Sequence, residues 1–158
     1  MSFDLFLEHF KDQESAPVSR ERIREVLRRH GQRDDRFEFV EFTDGSHFAV
    51  NSSFEDPDEE FTGCSFNLRH FSEAIMMFVF EVAAASDMVI FNAQGMDTPE
   101  NPVLIVLDPA QIPELPELDY QPVVCASPAH LAQLLGVGFA SWEAYRDRVV
   151  GNQGEHTQ

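Results

Sequence analysis

Residues 37–51 constrain the fold more than any other stretch. Phe37-Glu38-Phe39-Val40-Glu41-Phe42 interleaves aromatic and acidic side chains, Thr43-Asp44-Gly45-Ser46 follows, and His47-Phe48-Ala49-Val50-Asn51 returns. Asp-Gly between two such runs is a strong hairpin signal, because glycine takes the positive φ that a tight turn demands. A lone hairpin is barely stable in water, so the remaining chain must supply further strands and a cover for its apolar face.

Both flanks supply them. Phe3 to Phe10 is short and aromatic-rich and reads as a first strand, with a polar loop from Lys11 to Pro17. Ser19 then caps a helix on which Ile23, Val26, Leu27 and His30 share one face. Val18 and Ile23 stand at staple spacing, Glu21 and Arg28/Arg29 match the helix dipole, and Gly31 ends the element. Thr62 to Leu68 reads as a strand, and His70 to Ser86 as a helix apolar nearly all round. Met88 to Asn92 and Val103 to Leu107 are of strand type. Pro109, Pro113, Pro116 and Pro122 break up the segment between them and the C-terminal region.

Ser127-Pro128 opens a further helix that Gly136 is expected to close, and Ser141 is expected to cap a last helix from Trp142 to Val150. The order predicts an α+β fold: an antiparallel sheet with two helices packed on one face and a C-terminal helical hairpin. Residues 1–150 are expected to form one domain, with 151–158 a frayed tail. The apolar fraction of 43%, including 15 Phe, is ample for a core.

Charge bears on function. The net charge is −17, and residues 37–145 carry the whole excess, with 18 acids and a single base, Arg69. The densest run is Phe54-Glu55-Asp56-Pro57-Asp58-Glu59-Glu60-Phe61. Neighbouring carboxylates at ~6 Å in water repel by about 0.7 kcal/mol per pair, which a cationic partner would relieve. A calcium loop needs alternating oxygens and a glycine at its sharp turn, whereas here Glu59-Glu60 are adjacent and Pro57 is central. Acid–base catalysis needs carboxylates in unlike environments, which a run of solvated acids lacks.

Other chemistry leaves weaker traces. His9, His30, His47, His70, His130 and His156 form no i, i+4 pair, and Cys64 and Cys125 have no zinc-type spacing. A Cys/His nucleophile pair stays open, since such partners meet only in the fold. Leu131-Ala132-Gln133-Leu134-Leu135-Gly136-Val137 resembles the turn of helix-turn-helix DNA-binding domains, but the chain lacks the cationic surplus that phosphate binding needs.

The opening Met-Ser-Phe-Asp-Leu-Phe-Leu-Glu-His-Phe-Lys-Asp-Gln-Glu-Ser-Ala resembles the start of a loose group of small uncharacterised bacterial proteins of the type SFDLFL…F.DGE.A, with Gln13 in place of the expected Gly. The resemblance implies a bacterial cytosolic protein. The start shows neither a basic nor an apolar leader region, and no apolar run approaches membrane-spanning length, which also points to the cytoplasm.

The expected function is that of a non-enzymatic acidic binding protein, an immunity-type inhibitor that covers a basic toxin such as a nuclease. By type rather than by motif, small acidic α+β proteins are common among immunity proteins. Glu55, Asp56, Asp58, Glu59 and Glu60 are the expected contact residues, with Glu38, Glu41 and Asp44 in support. The partner is expected to be a basic protein rather than nucleic acid or membrane, with no cofactor or metal. The alternative is a hydrolase-like enzyme with its site between the sheet and the Pro-rich 109–122 segment.

Overall fold

The computed structural model describes residues 2–32 and 36–156. β1 (Phe3–Lys11) turns tightly through Asp12 and Gln13, both at positive φ, into the two-residue β2 (Glu14–Ser15). α1 (Arg20–Arg29) follows, then β3 (Phe39–Glu41), β4 (His47–Ser52) and β5 (Gly63–Leu68). After them come α2 (Glu73–Ser86), β6 (Met88–Asn92) and β7 (Leu104–Val106). A 3-10 helix (Pro109–Glu114) leads to β8 (Pro122–Val124), and α3 (Pro128–His156) closes the chain.

The strands lie in the order β3-β4-β5-β1-β6-β7-β8, with β2 appended to β1. All pairings are antiparallel except β7 with β8. The hairpin forms in the register Phe39↔Ala49, Val40↔Phe48, Glu41↔His47, and Gly45 at φ 87° makes its turn. α1 buries Ile23, Val26 and Leu27, the face its spacing predicts, and Gly31 follows it at φ 72°. α2 starts where the Ser72 hydroxyl accepts from Ile75 N at 3.1 Å.

Alternation along β1 sorts the two faces of the sheet. Phe3, Leu5 and Leu7 are buried, and they cluster with residues of all three helices, among them Ile23, Phe78 and Leu135. The opposite face is open at Phe6 but covered at β6 and β7. There Val89, Leu104 and Val106 form a smaller core with Phe10, Phe91, Leu115 and Leu118.

Two expectations need correction. The Pro-rich segment contains a regular 3-10 turn, because Asp108 and Gln111 complete a capping box and Pro109 sits in the first turn. Leu115 and Leu118 of this segment pack, partly buried, against Val89, Leu104 and Val106 of the sheet. The C-terminal helical hairpin is in fact one helix: α3 passes through Gly136, Gly138 and Ser141 without a break, which also removes the turn on which the helix-turn-helix resemblance depends. The backbone of this helix reaches His156 in the expected tail, while Thr157 and Gln158 lie outside the described residues.

The two glycines in α3 differ. A Cβ on Gly136 would meet nothing within 4 Å, whereas one on Gly138 would lie 3.2 Å from Asn101 Oδ1, 3.4 Å from Asn92 Nδ2 and 3.5 Å from Phe3. Gly138 therefore lets the helix lie close over two buried amides. Gly136→Ala is expected to raise the unfolding free energy by about 0.5–1 kcal/mol, through helix propensity and a less free unfolded chain. Gly138→Ala is expected to give no such gain. Urea denaturation of both variants checks the pair, and equal gains would contradict the close approach at Gly138.

Candidate functional site

The acidic loop connects β4 to β5, and an arginine from another element builds its shape. The Arg20 guanidinium, in the first turn of α1, donates to four loop carbonyls: Nε to Phe54 O at 2.9 Å, and Nη2 to Ser53 O at 3.1 Å, Asp56 O at 2.8 Å and Glu59 O at 2.8 Å. Guanidinium carries fixed, planar donors and no acceptor, so it suits a ring of converging carbonyls. Ser53 Oγ donates to Glu60 O at 2.7 Å, and Val18 N to Phe61 O at 2.7 Å. Phe54 and Phe61 are buried and meet edge to face at 5.3 Å, both against Phe37. Arg24 lies over the Phe54 ring at 5.4 Å and Arg20 over Phe61 at 5.9 Å. The two aromatic ends anchor the loop.

The predicted contact residues then divide. The Glu55 carboxylate accepts from Phe37 N at 2.7 Å and ties the loop to the hairpin. Asp56 accepts from Asp58 N at 3.0 Å, an aspartate turn within the loop. Asp58, Glu59 and Glu60 are exposed, and among the described residues their carboxylates have no hydrogen-bond or ion-pair partner. Glu38 is exposed beside them, since its carbonyl accepts from Val50 N near the loop end of β4.

Glu41 and Asp44 are elsewhere. Glu41 pairs with His47 at the start of β4, and the loop leaves from Ser52 at its end. That is about 17 Å of strand at ~3.3 Å per residue. Asp44 accepts from Ser46 Oγ at 2.5 Å and Ser46 N at 2.8 Å. The Ser46 hydroxyl and amide hold its carboxyl below the ordinary aspartate value of 3.8. The structure therefore does not bring these two supporting acids to the loop.

Several other acids of the anionic middle are employed in the fold. Asp108 caps Ala110 N, Asp97 accepts from Gln121 N, Glu114 accepts from Asp12 N, and Asp87 accepts from the buried Gln111 amide. Glu81 meets His30 at 2.6 Å. The excess charge is thus partly turn and cap chemistry, and the loop is where a run of unpaired carboxylates remains.

The thiol reading fares differently. Cys64 and Cys125 are both buried and free, and burial pushes both thiols above their ordinary value, that of Cys64 far above it. A thiolate nucleophile is disfavoured at either position. Among the described residues, no three His, Cys, Asp or Glu side chains are placed to hold a metal ion, and no helix is long and apolar enough to cross a membrane.

No protein-family model, curated protein or solved structure matches the chain. The functional reading therefore rests on the geometry of the loop. The residue that sequence reasoning misses is Arg20, which belongs to no motif. Its signal was positional: an arginine at the first residue of a helix, where the side chain can reach back toward a neighbouring loop.

Proposed function

We propose that this chain is a non-enzymatic binding protein whose carboxylate loop docks on a cationic protein, an immunity-type inhibitor of a basic toxin such as a nuclease. One observation carries the reading: Asp58, Glu59 and Glu60 stand exposed and unpaired on a backbone that a single guanidinium holds at four points. A floppy acidic loop would lose conformational entropy on binding, roughly 1–2 kcal/mol per residue ordered. A loop already fixed avoids most of that cost, and its acids act as preset phosphate mimics.

Carbodiimide crosslinking in extract of the native cell, read by mass spectrometry, is expected to join Asp58, Glu59 or Glu60 to lysines of one basic protein. Activity of that protein should fall when this chain is added. Asp58→Asn/Glu59→Gln/Glu60→Gln should keep the fold, slow association about tenfold and flatten its salt dependence. Crosslinks spread equally to the exposed Glu100, Glu117 and Asp119 would show that the acids serve general solubility instead.

A further inference from the structure

At the far end of β4 from the acidic loop lies a cleft of about 650 Å³ with a different character. The hairpin turn supplies Asp44 and Ser46, the segment after β5 supplies Arg69, His70 and Ser72, and α3 supplies Glu143 and Arg146. Arg69 is the one base between residues 37 and 145. Its side chain is exposed and, among the described residues, has no hydrogen-bond or ion-pair partner.

The other charges in the cleft are engaged. Asp44 accepts from the Ser46 amide and hydroxyl. Arg146 lies 3.9 Å from Glu143 and 3.2 Å from Asp147, over the Trp142 ring at 5.0 Å. Hydrogen bonds to Ser46 leave Asp44 its charge, so acids and bases roughly balance in the cleft, and Arg69 is the cation there without a partner among the described residues, close to the N-terminus of the fourteen-residue α2.

A second space of about 330 Å³ opens between α2 and α3 and is mainly apolar, lined by Met76, Met77, Pro128, Ala129 and Ala132, with Glu73 the charged residue in its lining. Phe71 and Ser72 line both spaces, so the two adjoin. The Phe71 ring that they share stacks on Phe139 at 4.9 Å. Ligand-sized pockets commonly run from about 300 to 1,000 Å³, apolar in the main with a few convergent polar groups.

We propose that this paired site binds a small amphipathic carboxylate, its head on Arg69 and its hydrocarbon body against Met76, Met77 and the α3 alanines. A monoanion fits better than a phosphate dianion, because Asp44 and Glu143 also line the cleft and would repel a second charge. A carboxylate also matches the flat two-pronged guanidinium.

Octanoate is the probe, with 1-octanol and inorganic phosphate as the separating arms, read by calorimetry and by amide NMR shifts of the full chain. Octanoate should bind and shift the amides of 69–72 and 129–132 together. Octanol should bind at least about fivefold more weakly, and phosphate should leave the 129–132 amides unmoved. Arg69→Gln should weaken octanoate about fivefold, Arg69→Lys less, and Met77→Gln should weaken octanoate and octanol alike. Both side chains are exposed, so these variants should fold. Octanol binding as tightly as octanoate would reduce the site to a greasy groove. Phosphate reproducing the full shift pattern, full affinity in Arg69→Gln, or no octanoate shifts at all would each overturn the proposal.

Discussion

Truncation of Phe78 to alanine is expected to lower the unfolding free energy by about 4 kcal/mol, the usual cost of removing a fully buried ring and leaving a cavity. For a chain of this size that corresponds to a fall in Tm of roughly 10 °C. The position earns this ranking through its neighbours. Phe78 is fully buried and its ring lies 5.2 Å from His30, 5.7 Å from Phe42, 5.8 Å from Phe48 and 6.3 Å from Phe66. It thus joins the end of α1, the hairpin at Phe42 and Phe48, and β5 on one side chain of α2. Phe78→Leu should recover most of the loss, because leucine refills much of the volume. Thermal and urea denaturation decide the matter, and a loss under about 1 kcal/mol for the alanine variant would mean that the aromatic cluster collapses around the gap.

Replacement of Arg20 by alanine is expected to cost about 2 kcal/mol and to free the acidic loop. Four carbonyls lose their donor together, although water can reach part of the site and will replace some of those bonds. Arg20→Lys should restore little, since one ammonium cannot present the guanidinium's fork to converging oxygens. Hydrogen exchange gives a local readout. The Asp56 and Glu59 amides, which donate to Ser53 O and Asp56 O, should exchange faster in both variants, while amides of β1 hold their protection. Unchanged exchange at Asp56 and Glu59 would mean that the loop holds its shape without the arginine. Partner association should slow in Arg20→Ala with every loop acid still present, which separates loop order from loop charge.

Much of this architecture follows from local rules. The apolar face of α1, the Asp44-Gly45 turn and the all-round hydrophobicity of 73–86 each have a period or a turn residue that admits few alternatives. Elements settled by distant partners were less legible. Gly136 reads as a helix stop, yet the cost of about 1 kcal/mol for each of Gly136 and Gly138 is outweighed by the burial of Leu131, Leu135 and Phe139 along an unbroken helix. The 3-10 turn depends on Gln111, buried 24 residues away from the Asp87 carboxylate that receives its amide. No window of sequence contains that pair. The candidate site shows the same division: the carboxylates were plain in the sequence, but which of them stay free was decided by Phe37 N, Asp58 N and the arginine beneath.

The two outermost strands of the sheet, β3 and β8, have only three residues apiece. Glu38 and Glu41 bracket the first, and the second begins at Pro122, which has no amide hydrogen to offer. Exposed borders of a sheet are templates for runaway stacking, and short length, charge and proline are the usual safeguards against it. A phenylalanine-rich molecule built this way gives a neighbouring copy little ladder to extend, so it should remain monodisperse at concentrations where a longer, uncharged rim would seed fibrils.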